Sequence, residues 1–237
     1  MKYILLHGLG QTAASWEKTI DAMTEEGRRR EIFCPNLTDL LQDRKVCYDT
    51  LYRALEEYCS EFDEPICLGG LSLGGILAMQ YGIEHPEKVQ SLVLIGVQYT
   101  MPKMLLKLQN LLFHLMSEKT FQKIGFEKAD FISLCRSMAE LEFTDDLKEI
   151  RCKVLAVCGE QDKANKAATL QLGERIQHAE VCIIEGAGHE VNTEHPKKLG
   201  EVLERFWKES QVSTRENPNT DEPKKSIKKE KRHFQGR

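Results

Sequence analysis

The sequence contains one tight glycine turn in which a serine is spaced for nucleophilic chemistry, Gly70-x-Ser72-x-Gly74. The turn follows an apolar run at Ile66–Leu68 and precedes an apolar helical segment. Glycines two residues before and after a serine relieve the crowding of such a turn and leave the hydroxyl exposed where the helix starts. At that helix start, the backbone N–H of Leu73 would face negative charge on a substrate oxygen. The spacing therefore predicts Ser72 as a nucleophile and Leu73 as one oxyanion donor.

Two other interpretations of this turn are a connection capped by its serine and a phosphate-binding turn. A dinucleotide-binding fingerprint is expected after the first strand, whereas this turn follows the third apolar run, and no Walker lysine follows it. The turn alone does not decide between these interpretations, so the residues that would act with Ser72 carry the argument.

A serine hydroxyl needs a base within hydrogen-bond reach, and the chain has seven histidines. His189 lies in a glycine-rich loop after the last apolar run, from which its side chain can reach the carboxyl ends of parallel strands. Asp162 follows the fifth apolar run, where a carboxylate could orient the imidazole. Glu160 is the nearest competitor for that role, and Asp145 and Asp146 are distant ones. The predicted catalytic residues are thus Ser72, Asp162 and His189.

The first apolar run ends in His7-Gly8-Leu9-Gly10. Its glycines would let a backbone N–H, that of Leu9, approach a substrate oxygen and complete the oxyanion hole. We interpret His7 as structural rather than catalytic.

Short apolar runs alternate with segments of helical periodicity. The predicted strands are Tyr3–Leu6, Glu31–Cys34, Ile66–Leu68, Ser91–Ile95, Val154–Cys158 and Val181–Ile184. Several are nearly continuous in apolar residues, which is typical of a sheet buried on both faces. Thr50–Phe62 and Pro196–Glu209 show the 3.6-residue period of amphipathic helices. The alternation predicts an α/β fold with a mostly parallel, doubly wound sheet of about six strands.

Two regions interrupt this alternation and divide the chain. Residues 99–145 are too long and too apolar for a simple crossover, so we expect an inserted helical cap between core segments 1–98 and 146–210. Its apolar residues could line a substrate pocket or join two copies in a homodimer. The pocket candidates are Met101, Met104, Phe113 and Met138.

Residues 211–237 carry eight Lys and Arg against four Asp and Glu, with few large apolar residues, and we expect a disordered basic tail.

The composition is that of an ordinary globular protein, with 237 residues, 41% hydrophobic residues and a net charge of −4. It favours neither nucleic acid nor membrane as a partner, because the charge is low and no apolar run approaches the ~20 residues of a membrane span. The eight cysteines lack the spacing of a zinc site, and we interpret them as structural. We expect a soluble, cytoplasmic protein without a metal.

The motifs that follow four of the strands together resemble those of the α/β-hydrolase superfamily. They are His7-Gly8-Leu9-Gly10, Gly70-Leu71-Ser72-Leu73-Gly74, Gly159-Glu160-Gln161-Asp162 and Gly188-His189, and the resemblance covers about Met1–Glu209. The chain order Ser–Asp–His is the order that this superfamily uses. The resemblance implies an α/β-hydrolase fold, here without the usual N-terminal hairpin. It also implies hydrolysis through an acyl-enzyme, without metal or organic cofactor. A serine at the nucleophile position argues against the haloalkane dehalogenase branch, which uses aspartate there.

We therefore expect a serine hydrolase of the carboxylesterase type that cleaves ester bonds of small to medium, largely apolar substrates through an acyl-enzyme on Ser72. A hydrolase or lyase of C–C bonds that uses the same three residues is an alternative. A ligand receptor without catalytic activity, built on the same fold, is a second alternative.

Overall fold

The computed structural model describes residues 1–23, 31–101 and 127–216, with side chains up to residue 210. Its centre is a six-stranded sheet in the order β2-β1-β3-β4-β5-β6, with every pairing parallel. The strands are β1 (Tyr3–Leu6), β2 (Ile32–Phe33), β3 (Ile66–Leu71), β4 (Val89–Ile95), β5 (Lys153–Gly159) and β6 (Ala179–Ile184). The predicted parallel sheet of six strands is confirmed.

Helices cover both faces of this sheet. They are α1 (Glu17–Ala22), α2 (Leu37–Leu41), α3 (Tyr48–Ser60), α4 (Leu73–Glu84), α5 (Lys128–Ser137), α6 (Lys166–Arg175), α7 (Val191–Glu194) and α8 (Pro196–Glu216). Successive strand residues point to opposite faces. Ile4 and Leu6 therefore pack with α2 to α6, and Tyr3 and Leu5 pack with α1, α7 and α8. The arrangement is the predicted doubly wound one, with a core on each side of the sheet.

Element boundaries differ from the sequence prediction at two informative places. β3 runs on from Leu68 to Leu71 because backbone pairing with β4 needs no apolar side chain, and its glycines pair as well as its leucines do. α8 continues past Glu209 to Glu216 and thus includes the first residues of the segment 211–237. Residues 217–237 lie outside the described part of the chain.

The two ends of the segment predicted as a cap, residues 99–145, lie next to each other where they join the core. Thr100 and Glu142 form an antiparallel bridge, and the Phe143 N–H donates to the Tyr99 carbonyl at 2.8 Å. Between these ends, α5 packs on α3, where the Tyr48 N–H donates to the Ser137 hydroxyl at 2.8 Å. Residues 102–126, most of the predicted cap, lie outside the described residues, so the cap itself stays a prediction.

None of the helices in the described part of the chain combines the length and the apolarity that crossing a lipid bilayer requires.

Candidate active site

Ser72 occupies the turn between β3 and α4 in a strained backbone conformation. Its φ of 52° and ψ of −115° lie where residues with a side chain are rarely found. The Ser72 N–H donates to the Ile95 carbonyl of β4 at 2.8 Å, which fixes the turn against the sheet. A Cβ atom on Gly70 would lie 2.4 Å from the carbonyl carbon of Gly74, so the turn can close only with glycine there. Ser72 is partly exposed where α4 begins.

Asp162 and His189 come together from the ends of two neighbouring strands. Asp162 lies in the turn after β5, and His189 lies in the loop after β6. His189 Nδ1 is 2.7 Å from Asp162 Oδ2, the distance of a charge-assisted hydrogen bond. The aspartate is only 6% exposed. Burial acts to raise the pKa of the Asp162 carboxyl, but hydrogen bonds from His189 and Asn165 together outweigh it and hold the pKa below its ordinary value. An ionised carboxylate therefore faces the imidazole.

The other carboxylates considered for this role are occupied or located elsewhere. Glu160 Oε2 accepts the Gly186 N–H at 3.0 Å and so stabilises the loop after β6 rather than the imidazole. Asp145 and Asp146 are exposed, and Asp146 precedes a 3₁₀ turn. Among the carboxylates weighed from the sequence, Asp162 is the one that the structure brings to His189.

Gly96 links the nucleophile turn to this pair. It follows β4 with a φ of +59°, and a Cβ atom there would lie 3.0 Å from His189 Cε1 and 3.4 Å from Asp162 Oδ2. The carbonyl of the preceding residue, Ile95, is the acceptor of the Ser72 N–H. Ser72 and His189 therefore both lie next to the peptide that joins Ile95 to Gly96. Their side chains form no direct hydrogen bond in this structure, and such bonds are often long before substrate binds.

Replacing Gly96 with alanine should displace His189 from Ser72. The new methyl group would enter the space beside the imidazole, and a misplacement of about 1 Å costs about 10²-fold in rate. Gly186→Ala is the matched control, because Gly186 has a similar φ of +73° but its nearest neighbour is His195 at 3.6 Å. Both variants should melt at a lower temperature, and only Gly96→Ala should lose kcat on an ester. Equal kcat values for the two would contradict this contact.

The loop after β1 lies directly against the start of α4. A Cβ atom on Gly74 would be 2.7 Å from the carbonyl oxygen of His7, the first residue of that loop, so the two segments are in contact. Within the described residues, neither the Leu9 N–H nor the Leu73 N–H donates a hydrogen bond. Free backbone donors in adjacent segments beside Ser72 are what an oxyanion hole requires. The assignment of Leu9 and Leu73 as oxyanion donors stays a prediction.

A comparison with models of protein families matches residues 3–202 to the alpha/beta hydrolase family. The chain belongs to this family. The match spans both halves of the sheet and all four loops that carry the predicted site residues. It confirms the α/β-hydrolase fold that the motifs predicted.

Individual α/β-hydrolases resemble the chain over most of its length. A pimeloyl-[acyl-carrier protein] methyl ester esterase from Aeromonas hydrophila is 26% identical over 239 residues, which cover 86% of this chain and 94% of the relative. An (E)-2-((N-methylformamido)methylene)succinate hydrolase from Acinetobacter baylyi is 21% identical, and the alignment covers 86% of this chain and 89% of the relative. Among solved structures, a thermophilic esterase from Thermogutta terrifontis superimposes with a TM-score of 0.71 at 17% identity, covering 89% of this chain and 90% of the esterase.

The sequence pattern did not reveal Asn165, which also contacts the Asp–His pair of this α/β-hydrolase. Its Nδ2 donates to Asp162 Oδ1 at 3.0 Å and to Oδ2 at 2.9 Å. Gln98 Nε2 in turn donates to Asn165 Oδ1 at 3.0 Å. Asn165 precedes α6, and asparagine before a helix is usually interpreted as a cap. The Asp-x-x-Asn spacing was the only local signal, and it does not distinguish the two roles.

A buried amide pair joins the loop after β1 to the helix that follows His189. Gln11 Nε2 donates to Asn192 Oδ1 at 3.1 Å, and Asn192 Nδ2 donates to Gln11 Oε1 at 3.0 Å. Gln11 Oε1 also accepts the Gly8 N–H at 3.3 Å. The pair fixes the loop that carries Leu9 relative to the loop that carries His189. Its members are 181 residues apart in the chain, so no local pattern could connect them.

His7 has the structural role expected from the sequence. It is 2% exposed, and its Nε2 accepts the Leu37 N–H at the start of α2 at 3.0 Å. Nδ1 therefore carries the ring proton and donates to the Gly8 carbonyl at 2.9 Å. Burial lowers the pKa of His7 from its ordinary value of 6.5. The neutral ring connects the loop after β1 to α2.

Acidification should destabilise the protein through His7. The unfolded chain binds more protons than the folded one below about pH 6.5, because the folded-state pKa is depressed. The stabilisation is fully present above that pH and is lost as the pH falls through the folded-state pKa, at up to about 1.4 kcal/mol per pH unit.

Thermal unfolding of wild type and His7→Gln from about pH 7.5 to about pH 5 measures this effect. The glutamine variant should lose less stability on acidification than wild type does. His178→Asn, a change at an exposed histidine with a φ of 65° that asparagine tolerates, should behave like wild type. Parallel losses in all three proteins would show that His7 is not responsible.

The predicted pocket residues are only partly within the described part of the chain. Met101 and Met138 are buried in the apolar cluster shared by α3, α4 and α5. Met104 and Phe113 lie outside the described residues. A pocket lined by these four side chains stays a prediction.

One cluster of possible metal ligands lies at the other end of α4 from Ser72. Side-chain atoms of Glu56, Glu84 and His85 lie within 4.8 Å of one another. They already bond to one another and to neighbours: His85 Nε2 lies 2.8 Å from Glu56 Oε1, and the Tyr52 hydroxyl donates to Glu84 Oε2 at 2.8 Å. These contacts join α3 to the end of α4, which is a sufficient structural role for them.

Proposed function

We propose that this α/β-hydrolase is a serine esterase that cleaves carboxylic ester bonds through an acyl-enzyme on Ser72. The observation that carries the proposal is the position of the peptide that joins Ile95 to Gly96. The Ile95 carbonyl accepts the Ser72 N–H, and the space left by the missing Cβ of Gly96 is bounded by His189 and Asp162. A serine on a strained turn, a histidine and a buried carboxylate at one point are the components of acyl-transfer chemistry.

In the first half of the reaction, Ser72 Oγ attacks the ester carbonyl carbon while its proton passes to His189 Nε2. Asp162 stabilises the imidazolium that forms, through the hydrogen bond at Nδ1. The Leu9 and Leu73 N–H groups bind the oxygen as it becomes negative, and donors of this kind are each worth about 10²–10³ in rate. The tetrahedral intermediate then collapses, and the leaving alkoxide takes the proton from His189 Nε2.

In the second half, water enters and gives a proton to the same His189 Nε2 as its oxygen attacks the acyl carbon. Collapse breaks the bond to Ser72 Oγ, which recovers the proton, and a carboxylic acid is released. Every proton transfer in this cycle passes through Nε2. The tautomer with the proton on Nδ1 is therefore the productive one, and the bond to Asp162 favours it.

We expect small to medium, largely apolar ester substrates. Two lines of support are the apolar composition of residues 99–145 and the esterase named among the relatives. The Acinetobacter relative is named a hydrolase of a substituted methylene-succinate, so a test should include bonds other than esters.

The test is a series of p-nitrophenyl esters from acetate to octanoate, assayed beside an acyl thioester and a 1,3-diketone. We expect turnover of the esters with a preferred chain length that sizes the acyl pocket. Turnover of the diketone without the esters would instead support C–C bond hydrolysis. Folded protein that turns over none of these compounds would contradict the esterase proposal.

A further inference from the structure

We propose that Asn165 and Gln98 are positioning residues that hold the Asp162 carboxylate in the orientation that the His189 imidazole requires. The proposal rests on the esterase function proposed above and goes beyond it, because the Ser–His–Asp chemistry does not specify what holds the aspartate.

Asn165 binds both oxygens of the carboxylate. Its Nδ2 lies 3.0 Å from Asp162 Oδ1 and 2.9 Å from Oδ2, and its backbone N–H adds a third bond to Oδ1 at 3.3 Å. His189 Nδ1 occupies Oδ2 at 2.7 Å. With donors on both oxygens, the carboxylate cannot rotate without breaking a bond. Asn165 is 9% exposed, so water replaces these donors poorly.

The side chain of Asn165 is not used for the role usual at its position. The residue precedes α6, yet its side chain makes no capping hydrogen bond to that helix. It turns instead to Asp162, three residues earlier. Capping therefore does not explain an asparagine here, and contact with the carboxylate does.

Gln98 determines which end of the Asn165 amide faces the aspartate. Gln98 Nε2 donates to Asn165 Oδ1 at 3.0 Å and to the Ala164 carbonyl at 2.8 Å. Since Nε2 can only donate, Asn165 Oδ1 faces Gln98 and Nδ2 faces Asp162. Gln98 lies two residues after Gly96, which is next to His189 and Asp162. The segment that follows β4 therefore supports the Asp162–His189 pair at Gly96 and, through Asn165, at Gln98.

A neutral amide suits this position better than a cation. A lysine would stabilise the carboxylate but would repel the imidazolium that forms during the reaction. Asn165 Nδ2 also lies 3.2 Å from His189 Nδ1 and has no lone pair to accept a proton there. Asp162 Oδ2 is left as the acceptor for the Nδ1 proton, and Nε2 stays free for the proton of Ser72.

The decisive variant is Asn165→Asp, which keeps size and capping preference but removes the donors and adds a negative charge. We expect kcat to fall by about 10²-fold, with KM within about threefold of the wild-type value. The lost bonds act on the Asp162–His189 pair, here called the dyad, rather than on substrate binding. The acidic limb of the kcat/KM profile should move up by about one pH unit, since the added charge favours the protonated dyad. Asn165→Ala and Gln98→Ala should lower kcat by smaller factors of about ten.

Gln177→Glu is the matched control. Gln177 is exposed and follows the other end of α6, about 15 Å away along a ten-residue helix. It adds the same charge without touching the dyad, so its pH profile should match that of wild type. The added charge moves the profile of Asn165→Asp in either case, so the neutral variant decides: a purely structural role for Asn165 would lower the melting temperature of Asn165→Ala and leave its kcat, measured well below that temperature, within about threefold of wild type.

A second measurement keeps the inference separate from the esterase proposal. The Nδ1 proton of His189 should give a downfield proton NMR signal in wild type and Gln177→Glu, and the signal should shift or broaden in both Asn165 variants. If this occurs without ester turnover, the positioning role holds and the esterase proposal fails. If esters are cleaved but folded Asn165→Ala keeps the wild-type kcat and signal, the positioning role is wrong.

Discussion

Replacing Ser72 with alanine should lower kcat for ester hydrolysis by about 10⁴–10⁶-fold while leaving the fold intact. The Ser72 hydroxyl is the only group of the protein that forms a bond to the acyl carbon in the proposed mechanism. The control Ser60→Ala changes an exposed serine at the end of α3 and should retain full activity. Residual turnover of more than a few per cent by Ser72→Ala would contradict the role of Ser72.

The same position should show that the turn is strained. At a φ of 52°, a residue with a Cβ atom is less stable than glycine by about 1–2 kcal/mol. Ser72→Gly should therefore melt at a higher temperature than both Ser72→Ala and wild type, although it too is inactive. Equal melting temperatures for the glycine and alanine variants would show that the turn stores no such strain.

Asp162→Asn should lower kcat by about 10⁴-fold. An amide in place of the carboxylate can donate to Nδ1 of His189, which selects the tautomer whose Nε2 already carries a proton and cannot accept one from Ser72. It also removes the charge that stabilises the imidazolium. Because the pKa of Asp162 lies below its ordinary value, wild type keeps this charge through mildly acidic pH.

Glu160→Gln is the matched control for Asp162→Asn. Glu160 lies two residues earlier in the same turn, and its carboxylate accepts the Gly186 N–H rather than contacting the imidazole. We expect a change in kcat of less than about threefold, since the Glu160 carboxylate bonds only to a backbone amide of the loop. Comparable losses from the two variants, measured by kcat on one ester, would mean that the acid was assigned to the wrong residue.

The parallel sheet and the position of the nucleophile turn could be predicted because both depend on local sequence. Runs such as Ser91–Ile95 are apolar enough to be buried on both faces, and the glycine at position 70 reflects steric exclusion by Gly74 and Gly75 within the same turn. Asp162 and His189 could be predicted because each closely follows a strand. The carboxyl ends of parallel strands meet at one edge of the sheet, so strand order alone brings such residues together.

The groups that hold the site in place could not be predicted in this way. Gln11 and Asn192 contact each other across 181 residues, and neither lies in a motif. Gln98 and Asn165 are common polar residues at the ends of elements, where a cap or a solvated amide is the ordinary interpretation. Only the three-dimensional contacts show that their amides face the carboxylate or each other.

Gly96 is another residue whose role in the site could not be predicted from the sequence. A single glycine after a strand predicts a turn, and the sequence does not indicate which side chain will fill the space that its missing Cβ leaves. In the structure, that neighbour is the imidazole of His189. The effect of a substitution at Gly96 therefore follows from tertiary packing rather than from local conformation alone.

The central claim is that Ser72 is an activated nucleophile, and the most direct test is reaction of the folded protein with a fluorophosphonate followed by mass spectrometry. Wild type should gain one phosphonyl group, mapped to the peptide that contains Ser72, and His189→Ala should react far more slowly because Nε2 no longer accepts the hydroxyl proton. Folded wild type that gains no phosphonyl group, or gains it at another residue while Ser72 stays unmodified, would contradict the account.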